Sequence, residues 1–279
     1  MSHVSYGTIG FGDRDVEAAL DAVAAAGFDQ AEICGQRPHV ATPPQGRQLL
    51  DFVRRLRSRG LSATVHAPAT TNVLGAPDQQ WRREKVGVLL NYLHFCAGIG
   101  AKTMVVHPVP NPIFVPEPDR SELPELMYDA ARRSLDELVP TARQAGVCIL
   151  LENLPYQCDY PLLAMGQLRE LVDSYPAECV GLLIDTGHIG ASGRDPATEI
   201  KLAGDRLYGT HLHDMDPLRP KDEHWIPTHG ALDWDAIRQA LADIDYSAAW
   251  TFEVIKGRNG ETPEELARLT RALAEKWGL

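Results

Sequence analysis

The chain lacks the marks of several protein classes. Its five cysteines, Cys34, Cys96, Cys148, Cys158 and Cys179, form no Cys-x-x-Cys pair, and their odd number argues against a complete set of internal disulfides. Reduced thiols are expected. The longest apolar stretches, such as AALDAVAAAGF and VGLLIDTG, are too short or too interrupted for a bilayer, which takes roughly 20 consecutive apolar residues. The start, MSHVSYGTIGFGDRD, has no basic segment, apolar middle or small-residue cleavage site, so a cytoplasmic location and no membrane partner are expected. Positive charge is also scarce. The 27 Lys and Arg against 38 Asp and Glu leave a net charge of −11, which opposes the phosphate neutralisation that nucleic-acid binding needs. Two local basic runs remain, RRLRSR from Arg54 to Arg59 and the segment Arg219 to Lys221, and the first reads as a solvated helix face. Finally, no Gly-x-Gly-x-x-Gly follows the first apolar run, which removes the usual mark of a dinucleotide-binding open sheet.

What is present is an alternation. The length of 279 residues, 44% hydrophobic content and absence of any linker or low-complexity tract predict one domain over residues 1–279. Strand-like segments fall near 3–9, 29–34, 62–66, 103–107, 147–152, 180–185, 206–212 and 248–254, each followed by a helix-like segment. In the first helix Val16, Leu20, Val23 and Ala24 share one face while Asp15, Glu17 and Asp21 lie toward water. Gly27, Gly60, Gly100 and Gly146 stand where helices should stop. Eight such units in an α/β chain predict a closed (β/α)8 TIM barrel, with an open doubly wound sheet as the alternative. The proline-rich segments HPVPNPIFVPEPD and MDPLRPKDEHWIPTHG read as loops over the barrel mouth.

Most of the strand-like runs end on a potential metal ligand. The series is His66, His107, Glu152, Asp185, His188, His211, Asp222, His224 and Glu253. In a barrel the C-terminal strand ends share one mouth. Glu152, Asp185, His211 and Glu253 would then supply three carboxylates and one imidazole, an oxygen-rich set suited to Mn²⁺, Zn²⁺, Mg²⁺ or Co²⁺. Carboxylates buried together demand a counter-charge, and a divalent ion is the simplest one. His188 follows Asp185 in the turn DTGH, and Asp222 with His224 forms an Asp-x-His pair on the second long loop. His213 should point the same way as His211, one step nearer that loop. His94 lies on a helix, and His3 and His39 lie near a terminus or loop, so these read as structural.

Taken in order, VHAPATTNVL, VVHP, LLEN, IDTGH, THLHD, DEHWIPTHG and FEV resemble the xylose-isomerase-like barrel superfamily over about residues 3–275. That group includes sugar epimerases, inosose and hydroxypyruvate isomerases, and endonuclease IV. The resemblance implies a single divalent metal, with Mn²⁺ first, held at Glu152, Asp185, His211 and Glu253, and a substrate contact at His188. Through endonuclease IV it equally implies up to three zinc ions on all nine positions. One departure is visible, since the family's usual Gly-Glu-Gly after Asp-x-His reads Thr228, His229, Gly230.

The activity this implies is isomerisation or epimerisation of a small hydroxy-carbonyl compound through an enediolate, with Glu152 and Glu253 moving protons on opposite faces. A multi-zinc phosphodiesterase, or a lyase or dehydratase on the same scaffold, are the alternatives. Arg219, Lys221 or Lys256 would hold a distal substrate group, and Trp225 would pack on an apolar sugar face. A small-molecule substrate is the expected partner, and a homo-oligomer is compatible with the sequence.

Overall fold

The computed structural model describes residues 3–69, 73–216, 218 and 221–279. Arg219 therefore lies outside the described residues. The strands are β1 (Val4–Gly7), β2 (Gln30–Cys34), β3 (Ser62–His66), β4 (Thr103–Val106), β5 (Cys148–Glu152), β6 (Val180–Asp185), β7 (Leu207–His211) and β8 (Trp250–Phe252). They form one eight-stranded sheet in the order β7-β6-β5-β4-β3-β2-β1-β8, with every pairing parallel. Between β7 and β8 the ring is joined just past the strand ends. There Leu212 N–H donates to Thr251 O at 2.8 Å, and Glu253 N–H donates to Leu212 O at 3.4 Å. The result is a (β/α)8 TIM barrel.

The helices are α1 (Val16–Ala25), α2 (Gly46–Ser58), α3 (Gln79–Ile99), α4 (Leu123–Ala145), α5 (Met165–Val172), α6 (Thr186–Ala191), α7 (Pro196–Ala203), α8 (Trp234–Asp243) and α9 (Pro263–Lys276). Their starts follow from local chemistry. Asp15, Asp78, Asp195 and Asp233 each accept from the N–H three residues on, satisfying an orphan donor of the first turn. Gly100 and Gly146 end α3 and α4 in the left-handed conformation, as their positions before strands predict. The basic run of α2 packs on the acidic face of α1, with Arg55 Nε 2.8 Å from Glu17 and Arg59 Nε 2.6 Å from Asp21. Those arginines therefore face acids of this same chain. Among the described residues no helix is long and apolar enough to cross a membrane.

The barrel interior is divided. Val105, Leu150 and Leu183, from β4, β5 and β6, form a small apolar cluster of their own, whereas the main core lies between sheet and helices. Above that cluster the polar strand ends begin. The turn predicted at DTGH proves to be the first turn of α6, with Asp185 as its cap accepting from His188 N–H at 2.7 Å. The helical start is what draws His188 back over Asp185.

Of the two long loops, the one after β7 reaches the mouth, while the one after β4 gives only His107 to the central pocket. The second loop is anchored by Asp214, which is fully buried. Its Oδ1 accepts from Met215 N–H (2.9 Å) and Leu232 N–H (3.1 Å), and its Oδ2 accepts from Thr228 N–H (3.1 Å) and Trp234 Nε1–H (2.7 Å). One carboxylate thus ties both ends of the loop. The approach explains Gly230, because a Cβ there would sit 2.2 Å from Asp214 Oδ1 and 2.3 Å from Met215 O. Asp214→Asn turns an NH₂ against two of these donors, and stranding a buried donor costs about 1–3 kcal/mol. Urea unfolding should therefore show a lowered midpoint and limited proteolysis faster cutting between Met215 and Leu232; wild-type behaviour in both would contradict this anchoring role.

Candidate metal centre

Glu152 ends β5 and occupies the middle of a ring of imidazoles. Its Oε2 lies 3.1 Å from His66 Nε2 and 3.2 Å from His107 Nε2, and its Oε1 lies 3.1 Å from His211 Nδ1 and 3.4 Å from His188 Nδ1. Asp185, ending β6, and Glu253, just past β8, approach the same point. Their Oδ2 and Oε2 atoms stand 3.7 and 3.4 Å from His211 Nδ1. One donor atom from each of Glu152, Asp185, His211 and Glu253 lies within 4.8 Å of the others, and all four residues are buried.

The orientation of four of these imidazoles is set by what the outward nitrogen meets. His66 Nδ1 faces Ala67 O at 2.7 Å, and His224 Nδ1 faces Glu253 O at 2.9 Å. Each of those rings therefore turns Nε2 inward. His188 Nδ1 donates to Asn153 O at 2.9 Å, leaving Nε2 directed at Asp222 Oδ2, 3.2 Å away. His211 is reversed. Its Nε2 meets Glu32 Oε1 at 2.7 Å, so Nδ1 faces the carboxylates. Asn153 braces the arrangement from behind, accepting from Asp185 N–H at 2.8 Å and donating to Asp185 O at 3.0 Å.

A second group sits beside the first. Asp222 and His224 come from the loop after β7, and with His188 and His213 they form another set of donor atoms within 4.8 Å of one another. His213 Nε2 lies 2.8 Å from Asp185 Oδ1, and its ring stacks on His224 at 3.9 Å between centroids. His66, His107 and Glu152 make a third such set.

Electrostatics follow from this packing. For His66 burial works against the charged form, but the hydrogen bond and charge of Glu152 outweigh it and push the imidazole up to about 9. His224 behaves alike, with burial outweighed by Asp222 and the imidazole raised to about 9. His188 and His211 are raised well above the ordinary histidine value, because the carboxylates beside them overcome burial. His107 moves the other way, since burial prevails there. Burial would raise Glu152, yet His211 and His107 hold it well below the carboxylate range. Every ion-pair partner of Glu152, Asp185 and Glu253 among the described residues is a histidine. With no lysine or arginine to neutralise three buried carboxylates, the donor set fits a divalent cation.

All nine strand-end and loop ligands predicted from sequence are therefore brought together. Trp225 and Lys256 are not. Trp225 pairs its backbone with Asp214, and the Arg258 guanidinium lies 4.8 Å above its ring. Lys256 Nζ is 3.0 Å from Glu223 on a half-exposed side chain, and neither residue lines the central cavity of about 160 Å³. Lys221 is exposed and faces Glu223 at 3.7 Å. Sequence reading missed Glu32 and Asn153, and also Gln36, which lines the central cavity. Glu32 did leave a signal, a lone acid inside the apolar strand QAEIC.

The xylose isomerase-like TIM barrel family matches this chain over residues 20–275. A D-psicose 3-epimerase of Enterocloster bolteae is 28% identical over 257 residues, covering 90% of this chain and 81% of that protein. An inosose dehydratase of Bacillus cereus is 24% identical over 291 residues, covering 96% and 91%. An uncharacterized protein of Sinorhizobium fredii is 31% identical over 176 residues, and the match spans only 54% of its length. Among solved structures, a D-tagatose 3-epimerase-like protein superposes with a TM-score of 0.81 at 19% identity, over 99% of this chain and 100% of that one. The IOLI protein with a bound zinc atom gives 0.79 at 21% identity, over 98% and 95%. On the extent of the family match together with the barrel it folds into, the chain belongs to the xylose isomerase-like TIM barrel family.

Proposed function

We propose that this protein is a divalent-metal-dependent isomerase or epimerase of a small polyhydroxy carbonyl compound, working by proton removal from a carbon next to the carbonyl. The observation that carries the reading is the convergence of Glu152, Asp185, His211 and Glu253 with no lysine or arginine among their ion-pair partners in the described residues. The names of its relatives, a D-psicose 3-epimerase and inosose isomerases among them, support the substrate class. So does the size of the cavity, about 160 Å³, which lies below the roughly 300–1,000 Å³ of drug-sized sites.

Glu152, Asp185, His211 and Glu253 are the residues that would hold the ion. Mn²⁺ suits three carboxylates and one imidazole, with Zn²⁺, Mg²⁺ and Co²⁺ as the other candidates. Bound there, a divalent ion supplies Lewis acidity that lowers the cost of negative charge on adjacent carbonyl and hydroxyl oxygens. The chain's own residues do the rest. Glu152, buried at the end of β5 and lining the cavity, suits the proton-accepting role, taking the C–H proton so that its electron pair becomes the enediolate double bond. Glu253, arriving from β8 across the mouth, returns a proton to the other face, and the carbon inverts. His188 lines the same cavity and would orient a substrate oxygen.

A second reading is favoured by two of the three further donor sets, His188/His213/Asp222/His224 and His66/His107/Glu152, which would suit additional zinc ions in a phosphodiesterase. Metal count separates the two. One ion per chain without cleavage of abasic-site DNA removes the nuclease reading, and three zinc ions with strand cleavage remove the isomerase one. A third outcome, elimination in place of proton return, draws on the dehydratase relative and is read from product identity.

Two predictions follow this mechanism. Glu152→Gln and Glu253→Gln should each lower turnover on a responsive ketose or inosose by about 10²–10⁴-fold, the usual contribution of an acid or base; turnover retained in both variants defeats the assignment. The second concerns pH. The metal-free chain holds His211 protonated above the ordinary range, so an ion must displace that proton. Affinity should then rise with pH and fall with acid, by about tenfold per unit for each proton displaced. Metal titration in buffers of different ionisation enthalpy checks it, and an affinity independent of pH contradicts it.

A further inference from the structure

We infer that Glu32 is a positioning residue for the metal centre, fixing the ring and proton of His211 so that Nδ1 is presented to the ion. The inference rests on reading Glu152, Asp185, His211 and Glu253 as the ligands.

Glu32 lies in the middle of β2, between the fully buried Ala31 and Ile33, and is itself 3% exposed. Strand alternation turns Gln30, Glu32 and Cys34 into the barrel, where they line its cavities. A buried carboxylate needs partners, and this one has two. His211 Nε2 is 2.7 Å from Oε1, and Thr64 Oγ1–H donates to Oε2 at 3.3 Å. Its ion-pair partner among the described residues is His211, not a lysine or arginine.

The contact decides which nitrogen of His211 is free. Glu32 is acceptor-only when ionised, so Nε2 carries a proton, and Nδ1, which faces Glu152 Oε1, Glu253 Oε2 and Asp185 Oδ2, is the nitrogen that is freed when the ring gives up its second proton to an incoming ion. The ring also lies nearly parallel to His66, 5.5 Å between centroids at 16°. Position and tilt are thus fixed, and so is the nitrogen left free once the second proton is lost. His66, His188 and His224 are braced by neutral backbone carbonyls. His211 alone among these four is braced by a carboxylate, which makes the imidazole a stronger donor to a cation.

Glu32 borders both the central cavity and a second one beneath it, of about 300 Å³, which Gln30, Ser62, Thr64 and Thr251 help to line. Large apolar side chains fill only the β4–β6 side, as Val105, Leu150 and Leu183. Those side chains wall the second cavity on that side, and its volume, at about 30 Å³ per water molecule, leaves room for water beside the carboxylate. Gln30, whose Oε1 is buried and without a protein partner, lines the same space.

The test compares zinc affinity, by chelator competition, with the ring NMR signals of labelled histidine, in wild type, Glu32→Gln, Glu32→Asp and Thr64→Val. Zinc-loaded wild type should show an exchange-protected Nε2–H for His211. Glu32→Gln should weaken zinc binding by about 10–100-fold, the usual cost of losing an outer partner of a ligating histidine, and shift that signal. Glu32→Asp and Thr64→Val should give smaller losses in the same direction, and these decide the matter if Glu32→Gln does not fold. Wild-type affinity with an unchanged His211 signal in Glu32→Gln, or in both milder variants where it does not fold, overturns the role of Glu32. A wild-type chain that takes up no zinc overturns instead the ligand assignment beneath it.

Discussion

Three carboxylates meeting at the mouth of a barrel, with no basic side chain among them, is the constraint on which the rest of this structure depends. Buried negative charge of this density is unfavourable unless something answers it. Here the answer is a shell of imidazoles, four of them oriented by a backbone carbonyl or another carboxylate. Histidine is the side chain that can fill this place in both conditions. It can carry a proton when the site is metal-free and give that proton up when a cation arrives. A lysine or arginine would neutralise the carboxylates permanently and remove their affinity for an ion.

Positioning that shell requires rigidity at some distance from it. Asp185 caps α6 while Asn153 grips its backbone, so the start of a helix and the end of a strand fix one carboxylate from two sides. Asp214 does the same for a loop. Its four hydrogen bonds hold the segment that carries Asp222 and His224, which would otherwise be a long and loosely connected excursion.

Much of this was legible in the sequence. Strand ends marked by His66, Glu152, Asp185 and His211 were readable because a polar residue that ends an apolar run is placed by the fold at one face. Gly100 and Gly146 marked helix ends because left-handed backbone favours glycine. Glu32 was not read as functional, because a lone acid within a strand does not announce its partner, and His211 is far away in sequence. Trp225 and Lys256 were placed at the substrate on loop position alone. Side-chain direction in a loop depends on contacts such as the Arg258 cation over Trp225 and the Glu223 carboxylate beside Lys256, and periodicity carries no information about those.

The ring of strands is joined between β7 and β8 by hydrogen bonds of Leu212 to Thr251 and Glu253 past the strand ends, and among the described residues an isolated bridge, Leu212 with Phe252, stands there in place of a ladder. His211 immediately precedes that seam and Glu253 belongs to it. An ion shared by those two side chains would act as a clasp across the joint that has no ladder. Filling the centre and fastening the barrel would then be a single event, and a chain without its ion would be open to fraying at the place where the ion belongs.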